Sequence, residues 1–174
     1  DKYAFPRHKS CGGGMLNSLD SVNIFPNFAT IRDKLQVFPS HTAVFYLGTD
    51  RIFEEKDNHM FDQVDRSQLD TLLLESAKEK PNVTFKVFDL ERIQNRESRV
   101  ILTGKNNSET LTARAVVGAD GCSSRVSKYL GNAVREDHQR ADCIEADIRT
   151  SQRGDGKAHI FFGYEGIFGY AWLF

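Results

Sequence analysis

Cysteine is scarce: three of 174 residues, at positions 11, 122 and 143. An odd number with no close pair excludes a disulfide scaffold and fits a reducing compartment. The five histidines, His8, His41, His59, His138 and His159, are scattered. None stands at metal-ligand spacing from a cysteine or another histidine, so no structural metal is expected. No apolar run reaches the ~18 residues of a membrane span, and no stretch reads as a signal peptide. Neither charge dominates: 23 basic and 24 acidic side chains leave a net charge of −1, which excludes the basic excess of a nucleic-acid binder. Proline is limited to four residues; each acts as punctuation rather than as part of a proline-rich linker.

What remains is an ordinary globular composition, 40% hydrophobic, long enough for one real core. Its most informative stretch runs from Ala115 to Val126. Ala115, Val116 and Val117 read as the end of a buried strand. Gly118 and Gly121 permit a tight turn, since glycine alone reaches positive φ cheaply. Asp120 projects from that turn, and Ser123 or Ser124 can cap a helix running to about Leu130. A strand, a glycine turn and a capped helix form a mouth for a ligand bearing phosphate or ribose.

Around that stretch the pattern changes several times. Residues 1–10 read as an extended loop, and Gly12–Gly14 as the lead into a short helix over Met15–Leu19. Ala29–Leu35 suits a helical turn or two. Thr42–Leu47, Arg51–Glu54 and His59–Val64 read as an antiparallel meander broken at Gly48-Thr49-Asp50 and Asp57-Asn58. Leu69, Leu72, Leu73 and Ala77 form a helical stripe between Asp65 and Lys80, and that stripe reads as core. Val83–Phe88 reads as a strand, Val100–Thr103 and Thr110–Val117 as a hairpin, and Ala141–Arg149, Lys157–Tyr164 and the chain from Gly169 as further strands. The apolar end, Trp172-Leu173-Phe174, and the charged start at Asp1 suggest a fragment of a longer chain.

Two stretches taken together carry a resemblance. The run from Asp1 to Gly14 contains Phe5-Pro6-Arg7 and Lys9-Ser10-Cys11-Gly12-Gly13, and Gly118-Ala119-Asp120-Gly121 follows much later. In this the chain resembles the geranylgeranyl reductase family of FAD-dependent oxidoreductases, which share the hydroxybenzoate-hydroxylase fold. The resemblance implies an α/β chain, α+β within this fragment: a partial Rossmann-like FAD-binding domain interleaved with an antiparallel substrate-binding sheet. Residues 1–40 and 65–135 would belong to the former, and 41–64 and 136–174 to the latter.

The resemblance also assigns roles. Asp1 would bond the adenosine ribose, as an acidic residue does in dinucleotide-binding folds. Arg7 would meet the pyrophosphate, and the amides of Gly12, Gly13 and Gly14 a flavin or phosphate oxygen. Cys11 would lie beside the flavin, touch the cofactor and serve as the candidate proton donor. Arg66 would contact FAD, and Asp120 and Gly121 would line its ribityl chain. Tyr170, Trp172 and Phe174, on one face of a strand by period-two alternation, would wall a prenyl channel. The glycine fingerprint expected before Asp1 is absent from this sequence, so the fragment alone is expected to be inactive.

The implied reaction is reduction of carbon–carbon double bonds in a prenyl lipid, with NAD(P)H or another reductant as electron source. One alternative is an FAD- and NAD(P)H-dependent aromatic hydroxylase of the same fold. Another is an inactive truncated module. The expected setting is the cytoplasm, with peripheral membrane contact through the lipid substrate.

Overall fold

Long β-branched and aromatic runs decide most of the architecture. The computed structural model describes residues 1–16, 28–132, 142–151, 154–166 and 169–174. Within these, eight strands and three α-helices form a mixed α/β arrangement dominated by sheet. The chain divides into two compact units. One comprises Asp1–Phe5 with Thr84–Cys143, and the other Pro6–Val83 with Ile144–Phe174.

The second unit is built on a five-stranded sheet. Its strands are β1 (Gly14–Leu16), β2 (Val37–Leu47), β3 (Asp50–Val64), β7 (Ala158–Phe162) and β8 (Tyr170–Leu173). They lie in the order β1-β3-β2-β7-β8. β2 and β3 form a long antiparallel hairpin across Gly48 (φ +58°). β7 joins β2 in parallel, Ala43 opposite Ala158, and β8 returns antiparallel.

The expected break at Asp57-Asn58 does not separate two strands. β3 runs through it as one strand, and the register against β2 shifts between Ser40 and Thr42. The turn-forming residues are absorbed as a β-bulge, where extra residues on one strand need no partner. The helix expected after Gly12–Gly14 is likewise corrected over its described part, because Gly14–Leu16 is strand. Backbone pairing of Gly14, Met15 and Leu16 with Gln63, Asp62 and Phe61 outweighs the local helical preference.

Two helices cover one end of this sheet. α1 (Phe28–Arg32) overlaps the helical turn expected over Ala29–Leu35, and α2 (Arg66–Lys78) falls within the expected helix. Asp65 caps α2 by accepting from the Ser67 N–H at 2.7 Å. Leu69 is buried with Ile31, Leu35 and Val64, and Met15, Val37, Leu72 and Leu73 pack on them. The leucine stripe is therefore core. A half-buried ion pair flanks it: Arg32 Nη2 reaches Asp62 Oδ2 at 2.6 Å, with Asp62 only 4% exposed.

The first unit holds a three-stranded antiparallel sheet, β4 (Leu90–Arg96), β5 (Arg99–Gly104) and β6 (Thr110–Ala113). The β5–β6 hairpin is the expected one, shorter at its end. β4 was not anticipated, because Glu91, Arg92, Gln94 and Arg96 give it a polar reading on both faces. Val83–Phe88 is not a strand: the Phe88 N–H donates to the Asp1 carbonyl at 2.7 Å, a contact outside any ladder. Ala115–Val117 is not a buried strand end, since Val117 is 91% exposed and no strand among the described residues pairs with it. The described part of the 141–149 strand, from residue 142, is also unpaired, with Ile144 95% exposed. Alternation supplies strand propensity, but only a neighbour makes a ladder. The division expected at 135/136 lies outside the described residues.

Candidate functional site

The start of α2 and the loop before β1 come together because of Gly13. Its φ is +70°, and a Cβ there would lie 2.2 Å from the Val64 carbonyl oxygen. Its own carbonyl accepts the Val64 N–H at 3.1 Å. Only glycine allows this approach, which lays the loop from Pro6 to Gly12 against the first turn of α2.

A cavity of 580 Å³ opens there, lined on one side by Arg7, Lys9, Cys11 and Gly12 and on the other by Arg66 and Ser67. Arg66 is fixed in a fork on Asp70, one turn along the same helix: Nε and Nη2 reach Oδ1 at 3.0 and 2.9 Å, and Nη2 reaches Oδ2 at 3.2 Å. Arg7 Nη2 lies 3.6 Å from the same carboxylate. Burial of Arg66 disfavours its charge, but the bonds and attraction of Asp70 and of the neighbouring Cys11 side chain outweigh that and hold the guanidinium firmly protonated. The Cys11 N–H donates to Glu145 Oε2 at 2.5 Å, and Glu145 and Asp147 complete the cavity's wall. Three cations, Arg7, Lys9 and Arg66, share the cavity's lining with three carboxylates, Asp65, Glu145 and Asp147, and the glycine-flanked Cys11 amide is engaged by one of them; the cations are the groups that could meet anionic oxygens.

Four residues expected to hold a cofactor, Arg7, Cys11, Gly12 and Arg66, thus line one cavity, although Arg66 is far from the others in sequence. Gly13 sets the loop and Gly14 begins β1; neither lines the cavity. The C-terminal aromatics approach the same loop. A Cβ on Gly12 would stand 2.3 Å from Trp172 Nε1 and 3.0 Å from the Phe174 ring. Phe174 also packs on Phe61, with ring centroids 5.4 Å apart. Tyr170 contacts Trp172 at 5.5 Å but is itself 61% exposed.

The remaining expected residues belong to the other unit. The Asp1 carboxylate accepts the Tyr3 N–H at 3.0 Å. Asp120 sits at the mouth of α3 (Arg125–Tyr129), where Ser124 is the N-cap and bonds the Ser127 N–H. The Asp120 carboxylate accepts from Ser124 Oγ at 2.5 Å and from the N–H groups of Arg125 and Val126 at 2.7 and 3.3 Å. Slight desolvation pushes against ionisation, but these donors hold its pKa below the ordinary carboxylate value. Gly121 has φ +80° and completes the turn, and a Cβ on Gly118 would strike the Val126 side chain at 2.7 Å.

Sequence reading passed over Glu145 and Asp147, which sit in a segment read as strand. The i,i+4 spacing of Asp70 from Arg66 is the signal that this carboxylate orders the site's arginine. Among the described residues no group of three or more His, Cys, Asp or Glu side chains could hold a metal, and no helix is long and apolar enough to cross a membrane.

Fold and site together define a mixed α/β chain with a charged, glycine-edged cavity beside a sheet. No protein-family model matches it. Over its whole length the chain is 25% identical to the uncharacterized protein Mbar_A1602 of Methanosarcina barkeri (strain Fusaro / DSM 804), and spans 43% of that protein. Its fold is similar to that of FqzB, with a TM-score of 0.58 at 15% identity, covering 76% of this chain and 32% of that one. It is also similar to the Diels-Alderase PyrE3 of pyrroindomycin biosynthesis, with a TM-score of 0.54 at 20% identity, covering 75% of this chain and 28% of that one. The chain spans less than half the length of each.

Proposed function

We propose that the chain is part of an FAD-dependent oxidoreductase and that the Arg7–Cys11–Arg66 cavity is a portion of its flavin site. The observation that carries this is the convergence of Arg7, Cys11, Gly12 and Arg66 on one cavity, together with the sequence resemblance that gave those residues a flavin-binding role. The donor set fits the group. Arg7, Lys9 and Arg66 offer charge to a pyrophosphate or flavin oxygen, and the Cys11 amide offers a hydrogen bond once Glu145 yields it. When bound, the flavin would supply hydride or oxygen chemistry that the protein lacks, with NAD(P)H as the proposed reductant. This chain's own residues would orient it: Asp70 holds Arg66 at a fixed angle, and Trp172 and Phe174 shield the loop at Gly12 from water. The Cys11 thiol beside Arg66 would hold or deliver a proton.

Two finer reactions follow from the resemblance. Ring hydroxylation of a small aromatic substrate is supported by Gly118-Ala119-Asp120-Gly121, a motif such hydroxylases share. Reduction of prenyl double bonds is supported by Cys11-Gly12-Gly13 and by the aromatic strand lying against Gly12. NADPH-dependent oxygen uptake that rises with an aromatic substrate would select the first, and anaerobic alkene reduction the second.

Titrating the protein with FAD and following flavin fluorescence tests the shared premise. Saturable binding is expected, weakened roughly ten- to hundredfold by Arg66→Met, in keeping with about 1.5–3 kcal/mol for a hydrogen bond to a charged group. Equal affinity in parent and variant, or no binding in the parent, overturns the assignment.

A further inference from the structure

The segment Ile144–Arg149 lies along the Arg66 cavity but belongs to no sheet. Its two carboxylates, Glu145 and Asp147, line the cavity. The residues that alternate with them do not: Ile144 is 95% exposed and Ile148 76%. From residue 142 to residue 150 only Glu145 is half-buried, and its neighbours on both sides are exposed.

The segment is therefore held by very little. Glu145 Oε2 accepts the Cys11 N–H at 2.5 Å. Among the described residues no ladder, ion pair or other hydrogen bond ties Ile144–Arg149 to the rest of its unit. Its isoleucines contribute no burial that opening would forfeit. Segments with few buried apolar contacts are the ones that open locally at low cost in free energy.

What that tie occupies gives the segment its meaning. The Cys11 amide shares the cavity with Arg7, Lys9 and Arg66. To such an amide a carboxylate oxygen and a phosphate oxygen are equivalent acceptors, each forming a charge-assisted bond. Glu145 thus stands where an oxygen of an anionic ligand would bond, and Asp147 adds a second charge of the same sign to the wall. An anion that takes the Cys11 amide has to displace Glu145.

We propose that Ile144–Arg149 is an internal competitor for this cavity: its carboxylates fill the site in the free protein, and an anionic ligand binds as the segment is displaced. The proposal rests on the reading of the cavity as the flavin-contacting, anion-accepting site. Apparent affinity is then the intrinsic affinity reduced by the fraction of molecules in which the segment is open. The free site keeps its cations and its amide satisfied, and ligand concentration sets how often the segment is released.

Two probes separate the competitor from the flavin reading. Inorganic pyrophosphate needs only the cations and the amide, whereas FAD needs the flavin site. Each is titrated into the parent, Glu145→Gln and Asp65→Asn, and the Cys11 amide and the Ile144 and Ile148 methyl signals are followed by NMR. Asp65 is the lining carboxylate that belongs to α2 rather than to the segment, and asparagine caps a helix as well as aspartate does. Pyrophosphate is expected to move the Cys11 amide and both isoleucine signals to saturation. Its Kd should fall about tenfold or more in Glu145→Gln, as when a closed state of about nine-tenths is released, and clearly less in Asp65→Asn. That pattern without FAD binding would keep the competitor and remove the flavin reading. An unchanged Kd in Glu145→Gln, an equal gain in Asp65→Asn, isoleucine signals that stay in place as the cavity fills, or no pyrophosphate binding to any of the proteins overturns the proposal. Should Asp65→Asn fail to fold, the isoleucine signals of the parent decide between displacement and a mere change of charge.

Discussion

Gly13 shows how much a single position can demand. A side chain there is opposed twice, by the left-handed backbone and by the Val64 carbonyl at 2.2 Å from the missing Cβ. Gly13→Ala is expected to cost at least about 1–3 kcal/mol, the range for a strained backbone position, read as a lowered urea midpoint. It should also weaken any ligand of the Arg66 cavity, because the loop could no longer lie on the start of α2. Asp120 gives a second expectation, set by pH. Its folded pKa is lowered by Ser124 Oγ and the α3 amides, so its contribution is full above the ordinary carboxylate range and fades as pH falls through the folded value. The parent should therefore melt higher than Asp120→Asn near neutrality, with the gap closing below about pH 4. A gap unchanged across that range would mean the carboxylate's charge is not what holds the turn. At this scale the glycines and arginines of the site were legible, because their local motifs constrain backbone and charge. Glu145 was not, because nothing local ties residue 11 to 145.

Among the elements, α2 was the most legible. A four-residue leucine and alanine stripe, a capping aspartate and a following proline all agree, and agreement across such signals is what makes a segment readable. Its buried anchor is Leu69, 8% exposed. Leu69→Ala should lose roughly 2–5 kcal/mol, as for other large-to-small changes in a core, and circular dichroism melting would register it. A loss below about 1 kcal/mol would show that α2 is held by its cap and ion pairs rather than by packing. The strands were read less well, for a definite reason. Asp57-Asn58 looked like a turn because turn residues and bulge residues are chemically alike, and only the partner strand distinguishes them. The same dependence on a partner hid β4, where charged and amide residues surround only two half-buried apolar side chains, Leu90 and Ile93, and promoted the 142–149 segment, whose isoleucines find no ladder.

For the whole molecule, the expectation of two parts interleaved in sequence came from the resemblance alone, since composition barely changes along the chain. The hairpin pairings were legible, but the parallel contact between β2 and β7 was not, because it leaves no local trace. That pairing bears on the order in which the protein can be made. Ala43 must wait for Ala158, and the whole stretch Thr84–Cys143 of the other unit leaves the ribosome in between. Until then the β2–β3 hairpin stands with one edge bare, and closing so long a loop is slow. Nascent chains halted before residue 158 should accordingly be cut by protease within β2, while the β4–β5–β6 sheet, all of whose strands are already present, is protected.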